Sequence, residues 1–240
     1  MRTFLFVLVL AGTTAISASA QETPLTNRAF ENAARAAQSE DYKTAAEDYR
    51  RAILFSTAEE PSDDFLAKIH FNLGVCFYNL QQTEEAVEEF TEAIKLSRRG
   101  YQKAFYALGM AQTDLKNWSK AETAFREAVK LEKNDGEAWF DLGLVLLERK
   151  NYESAETAFQ KAIKYQSTGA ADAHNNLGVI FALKSDFRAA ENEFKTALNL
   201  SNGKSVEARN NLQFCKLYKR NFNQNLLAKL EFARNNKQGE

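Results

Sequence analysis

Residues 139–162 read WFDLGLVLLERKNYESAETAFQKA, and the spacing of their small and aromatic residues decides the fold. Trp139, Leu142, Gly143 and Leu146 share about 100° of arc on an α-helix. Ala155, Phe159 and Ala162 line up in the same way on a second helix. Working outward, the first half recurs as FNLGV at 71–75, ALGM at 107–110 and NNLGV at 175–179. Gly74, Gly109, Gly143 and Gly178 are separated by 35, 34 and 35 residues. Twelve residues after each glycine stands an alanine: Ala86, Ala121, Ala155 and Ala190. Each alanine is followed by a phenylalanine (Phe90, Phe125, Phe159, Phe194) and then by Ala93, Ala128, Ala162 or Ala197. A divergent copy precedes these, with Ala33, Ala45, Tyr49 and Ala52, and carries an insertion placed in Ser56–Asp64 around Pro61.

Self-similarity at such a period is the signature of stacked supersecondary units, since one helix pair cannot bury its apolar face alone. The pattern resembles the tetratricopeptide repeat (TPR) family. In a 34-residue unit that family favours Trp at position 4, Leu at 7, Gly at 8, Tyr at 11, Ala at 20, Phe at 24, Ala at 27 and Pro at 32. Trp139, Leu142, Gly143, Leu146, Ala155, Phe159 and Ala162 follow this closely, but no copy has Pro at position 32. Gly100, Gly136, Gly169 and Gly203 lie close by and are expected to break the helices instead. Repeats are expected near 26–59, 67–100, 102–135, 136–169 and 171–203. The resemblance implies an all-α solenoid of antiparallel helix pairs in a right-handed superhelix. Gly at position 8 and Ala at position 20 are expected where the two backbones cross. The ring at position 24 should fill the space between neighbouring pairs, and Tyr42, Trp118, Tyr152 and Phe187 should wedge the turns. Residues 204–240 read as the end cap, with Val206–Tyr218 imitating a sixth first helix and Asn223–Arg234 forming a polar-faced one.

Residues 1–20, MRTFLFVLVLAGTTAISASA, form a secretory signal peptide: Arg2, an apolar run Phe4–Ala11, then Ala18-Ser19-Ala20, with cleavage expected after Ala20. The apolar run is too short to span a bilayer, so no transmembrane anchor is expected after cleavage. The product is expected in the periplasm or secreted. Lys and Arg total 31 against 32 Asp and Glu, which argues against a general nucleic-acid binder. A hydrophobic content of 45% excludes wholesale disorder. Residues 204–240 carry eight basic and three acidic groups, a polarity that reads first as a solubilising end of the array and second as a contact for an anionic surface or an acidic partner.

Enzyme signatures such as HExxH, CxxC, GxSxG and the Walker phosphate loop are absent, so no catalytic residue, metal or cofactor is expected. Cys76 and Cys215 lie four repeats apart at one repeat position, too far for a disulfide, and read as buried small hydrophobes. His70 and His174 both take position 4 and read as packed or partly satisfied core histidines rather than metal ligands. The carboxylates of Glu84, Glu85, Glu88 and Glu89 read as a solvated face.

The partner-binding residues are sought on the face of each first helix opposite its packing stripe, which lines the concave groove of TPR proteins. Position 5 reads Phe30, Phe71, Tyr106, Phe140, Asn175 and Asn210; Tyr78, Met110 and Leu144 adjoin it. An aromatic strip where a solvated face would carry Lys and Glu suggests a docking surface. The competing reading is that crowded neighbouring helices bury these rings. Position 6 reads Glu31, Asn72, Ala107, Asp141, Asn176 and Asn211, resembling the partial asparagine ladder of O-linked N-acetylglucosamine transferases. Such amides can pair with a peptide backbone whatever its sequence. The carboxylate clamp for chaperone C-termini needs Lys at position 5 and Asn at position 9, and neither is present. The expectation is therefore a non-enzymatic adaptor that binds a peptide segment of another cell-envelope protein. The alternative is a structural subunit of an envelope complex or a homo-oligomer, and a third reading is an enzyme or small-ligand carrier without a recognisable motif.

Overall fold

The computed structural model describes residues 23–221; the expected signal peptide and the expected helix at Asn223–Arg234 lie outside them. Among the described residues there are eleven helices and no strand. They form two compact units with their boundary at Leu131/Glu132. The first contains α1 (Leu25–Gln38), α2 (Tyr42–Glu59), α3 (Asp63–Asn79), α4 (Thr83–Leu96), α5 (Gln102–Asp114) and α6 (Trp118–Leu131). The second contains α7 (Gly136–Glu148), α8 (Tyr152–Lys164), α9 (Ala170–Leu183), α10 (Phe187–Leu200) and α11 (Val206–Asn221). In each unit consecutive helices pack as pairs and each pair packs on the next, so the fold class is an all-α helical repeat.

Five first helices end in the same way. Glu40, Gln81, Lys116, Lys150 and Ser185 all occupy position 15 and all have φ between 58° and 66°. The amide of the following residue reaches back five residues, as in Asn151 N to Leu146 O at 2.9 Å and Asp186 N to Phe181 O at 2.9 Å. The position-15 amide reaches back three, as in Lys150 N to Leu147 O at 2.8 Å. This paired closure satisfies carbonyls left over at the helix end. The next residue then starts the second helix: Asp41, Asn151 and Asp186 accept from Thr44, Ser154 and Ala189 amides at 3.0–3.3 Å.

At the ends of the second helices the expectation that glycines break them is corrected: the left-handed residues there are Arg98, Arg99, Gln166 and Asn202, joined by Gly203. Of the glycines among the described residues, Gly203 alone has a positive φ. Gly136 opens α7, where a Cβ would stand 2.7 Å from the Tyr165 carbonyl oxygen. Gly169 lies against the Phe140 ring, and Gly100 against the Ser97 carbonyl. The insertion in Ser56–Asp64 lengthens α2 to 18 residues and α3 to 17. The Glu59 carboxylate at the end of α2 accepts the Leu25 and Thr26 amides at 2.8 and 3.0 Å, closing the start of α1.

The position-8 glycines do not serve a bare backbone crossing. A Cβ on Gly74, Gly109, Gly143 or Gly178 would stand 2.5–2.8 Å from a ring carbon of Phe90, Phe125, Phe159 or Phe194. Each position-24 ring thus seats on the glycine of its own pair rather than only between pairs. Cys76 and Cys215 are buried free thiols, and burial pushes the Cys76 thiol up to about 12.

Candidate partner-binding site

The position-5 aromatics are core residues. Phe30 meets Tyr49 at 5.7 Å, Phe71 meets Phe90 at 5.8 Å, Tyr106 meets Phe125 at 5.7 Å and Phe140 meets Phe159 at 5.6 Å, centroid to centroid. Each contact joins position 5 to position 24 of one pair. Phe71 and Phe140 are 0% exposed and Phe30 is buried, while Tyr106 is half-buried. The expected protruding strip is therefore corrected: apolar rings at this position complete the seat of the position-24 ring, and burial of their area stabilises the pair.

The other candidates are mostly interior as well. Asn72, Tyr78, Met110, Asp141, Asn175, Asn176 and Asn211 are buried; Leu144 and Asn210 are half-buried. Tyr78 donates its hydroxyl to Asp114 Oδ2 at 2.5 Å, tying the end of α3 to that of α5. Asn72 lies beside Tyr49, whose hydroxyl is pushed up chiefly by burial; neither side chain completes a hydrogen bond of standard geometry. In the second unit Asn211 Nδ2 donates to Asn175 Oδ1 at 2.9 Å, and Asn175 Nδ2 donates to Asn176 Oδ1 at 3.4 Å. These amides bind one another and fix α11 against α9. As placed, they do not line an open track for a peptide backbone.

The histidines have specific partners, and one of the acidic residues differs from expectation. His70 Nδ1 lies 2.6 Å from Glu89 Oε2, and His174 Nδ1 lies 2.6 Å from Glu193 Oε2. All four side chains are partly exposed, so the histidines are half-buried and satisfied by carboxylates of the second helices α4 and α10. Glu89 is correspondingly not a freely solvated member of its acidic run. The sequence carries a signal for this pairing: His at position 4 occurs with Glu at position 23 in two repeats, whereas Phe105 and Trp139 occur with Ala124 and Ala158.

What remains accessible is the row at position 2. In the first unit it reads Asn27, Lys68 and Lys103, all exposed; in the second it reads Glu137, Asp172 and Glu207, all half-buried. Glu137 accepts the Thr168 amide at 2.5 Å and lies 3.3 Å from Ser167 Oγ. Burial, with the Glu207 charge adding to it, raises Asp172 to about 6. Lys68 and Lys103 line an open cavity of about 560 Å³ with Asp64, Ala67, Gly100 and Tyr101. Nothing in the repeat pattern singles these lysines out. No group of His, Cys, Asp and Glu suited to a metal ion occurs among the described residues.

Tetratricopeptide repeat models match residues 67–99, 106–168 and 151–211, more than half of the chain. The chain belongs to the tetratricopeptide repeat family. No curated protein shows significant sequence similarity to it. Among solved structures, this TPR chain is similar to YrrB, described as a TPR protein with an unusual peptide-binding site. The match has 23% identity and TM-score 0.63, over 73% of this chain and 86% of that one. MamA residues 41 to the end from Desulfovibrio magneticus RS-1 match with 20% identity and TM-score 0.65, over 78% and 100% of the two chains. Pseudomonas aeruginosa pilF matches with 18% identity and TM-score 0.61, over 86% and 88%. At these identities the likeness is one of fold.

Proposed function

We propose that this TPR protein is an extracytoplasmic adaptor that binds a peptide segment of another cell-envelope protein on the first-helix face of its pairs. The carrying observation is the family itself. A TPR array is in general a protein-interaction scaffold, and the likeness to YrrB, itself a protein with a peptide-binding site, fits that use. The extracytoplasmic part rests on the Arg2, Phe4–Ala11 and Ala18–Ala20 pattern. With the position-5 rings and most amides buried, the determinants on this face are the half-buried Tyr106 with the position-2 side chains in the first unit, and Leu144 and Asn210 with theirs in the second.

The experiment has two arms. Residues 1–30 fused to alkaline phosphatase, an enzyme active only after export, should give activity in a bacterial host; a silent fusion overturns the location. A photo-crosslinking residue at Tyr106 should capture one discrete envelope protein, with no such product from the same residue at Glu88 on α4. Equal capture from both positions overturns the first-helix face as the binding surface.

A further inference from the structure

α11 is a first helix whose pair-forming stripe has changed character. In the complete pairs positions 4, 7, 8 and 11 face the second helix, and the position-8 glycine seats its phenylalanine. On α11 these positions hold Arg209, Leu212, Gln213 and Lys216, and all but Leu212 are exposed. Continuing the register, the alanine and phenylalanine of a sixth second helix would fall on Asn225 and Lys229. Gln213 fills the place a ring needs, and Lys229 brings no ring. Residues 222–240 therefore cannot complete a sixth pair in the way the earlier pairs are completed.

The apolar side chains that α11 leaves uncovered lie on an arc beside that stripe. Val206 is 53% exposed and Leu217 37%, and Phe214 is half-buried. At about 100° per residue these three and Asn210 span about 80° of the helix. In the complete pairs the same arc meets the start of the next repeat, as where Phe71 packs on Tyr101 at 5.0 Å and Phe140 on Gly169. Beyond α11 no further copy of the pattern occurs in residues 222–240, but they carry a stripe that matches the uncovered arc. Phe222, Leu226, Leu230 and Ala233 also span about 80° at helical spacing. Charge agrees with apolar pattern: Glu207, at the start of the α11 edge, makes no ion pair among the described residues, and Arg234 and Lys237 stand towards the far end of the segment.

We infer that residues 222–234 turn back along α11 and cover this edge, shielding the C-terminal end of the first-helix face. A reversal after Asn221 sets Leu226 beside Leu217, Leu230 beside Phe214 and Ala233 beside Asn210, and brings Arg234 toward Glu207. Asn223 and Asn225 suit the reversal, because asparagine enters the left-handed conformation more readily than most residues with a Cβ. Removing these apolar surfaces from water drives the contact. The covered edge includes Asn210, one of the determinants of the adaptor reading. On that reading a partner must displace the segment to reach this end of the face, so the chain regulates its own site.

The test is a nuclear Overhauser measurement on the methyl- and ring-labelled full chain. Cross-peaks are expected between the Leu226 and Leu217 methyls and between the Leu230 methyls and the Phe214 ring. Cross-peaks from these leucines to Leu212 instead, or none to α11, overturn the inference. So do cross-peaks that join different molecules in a mixed-label sample, which would put a second copy on the edge. The Leu226→Asp/Leu230→Asp variant should speed amide exchange in α11 at least fivefold while α1–α8 exchange as before; unchanged exchange in α11 overturns the contact. In that variant a photo-crosslinking residue at Asn210 should capture the partner at least threefold more than in the native sequence, and equal capture overturns the shielding. Loss of capture at both Asn210 and Tyr106 removes the adaptor reading instead, and the cross-peaks then decide the contact by themselves.

Discussion

Phe140 shows how one ring can look like a binding residue in the sequence and be part of the core. It lies off the stripe shared by Trp139, Leu142, Gly143 and Leu146, so helical periodicity alone turns it toward solvent. It is nevertheless 0% exposed, packed edge-on to Phe159 and against Gly169. Phe159 in turn occupies the space that Gly143 leaves free. Truncation to Ala should therefore act on stability: Phe140→Ala is expected to lower the unfolding free energy by about 3–5 kcal/mol. Tyr106→Ala, at a half-buried ring, should cost clearly less. Urea denaturation of the two variants checks this, and a Phe140→Ala variant as stable as the parent would contradict the packing described here.

The helix pairs owe their geometry to a closing turn rather than to helix propensity. Position 15 holds a left-handed residue in all five repeats, but no repeat has glycine there. A residue with a Cβ is strained in that conformation. Lys150→Gly should relieve the strain while keeping both closing hydrogen bonds, raising stability by up to about 1 kcal/mol. A thermal melt reads this directly, and a lower midpoint would mean that the Lys150 side chain contributes more than its backbone strain costs. Elsewhere local chemistry joins elements distant in sequence. The Asn211–Asn175 bond is such a case: it seats α11 on α9 although α10 comes between them in the chain.

Across the chain, charge divides by unit along position 2, with lysines in the first and carboxylates in the second. Asp172 is the consequential member. Its folded pKa of about 6 lies above the ordinary carboxylate value, first because of burial and then because of Glu207. The native state therefore binds more protons than the unfolded chain between about pH 4 and 6. Stability of the second unit should rise as pH falls through 6 toward 4, opposite to the effect of a salt-bridged carboxylate. Asp172→Asn should flatten that part of the profile, as hydrogen exchange of α9 and α11 at pH 4.5 and 7 would show. An unchanged profile would place the titration on another group.

The helical-repeat architecture was readable from the chain because a repeated Gly, Ala and Phe pattern at a period near 34 is a one-dimensional record of identical packing. Helical phase identifies which residues share a stripe, and that sufficed for Gly143, Ala155 and Phe159. It could not say how much of the opposite face neighbouring elements cover. That coverage is a distance between helices, set by how far the position-24 ring sinks onto its glycine, and it buried Phe30, Phe71 and Phe140 while leaving Tyr106 half-covered. The same limit hid the pairing of His70 with Glu89 and of His174 with Glu193, nineteen residues apart and on different helices. It also hid the cavity of Lys68 and Lys103, because an open cavity is the space that packing leaves over, and no single helix encodes it.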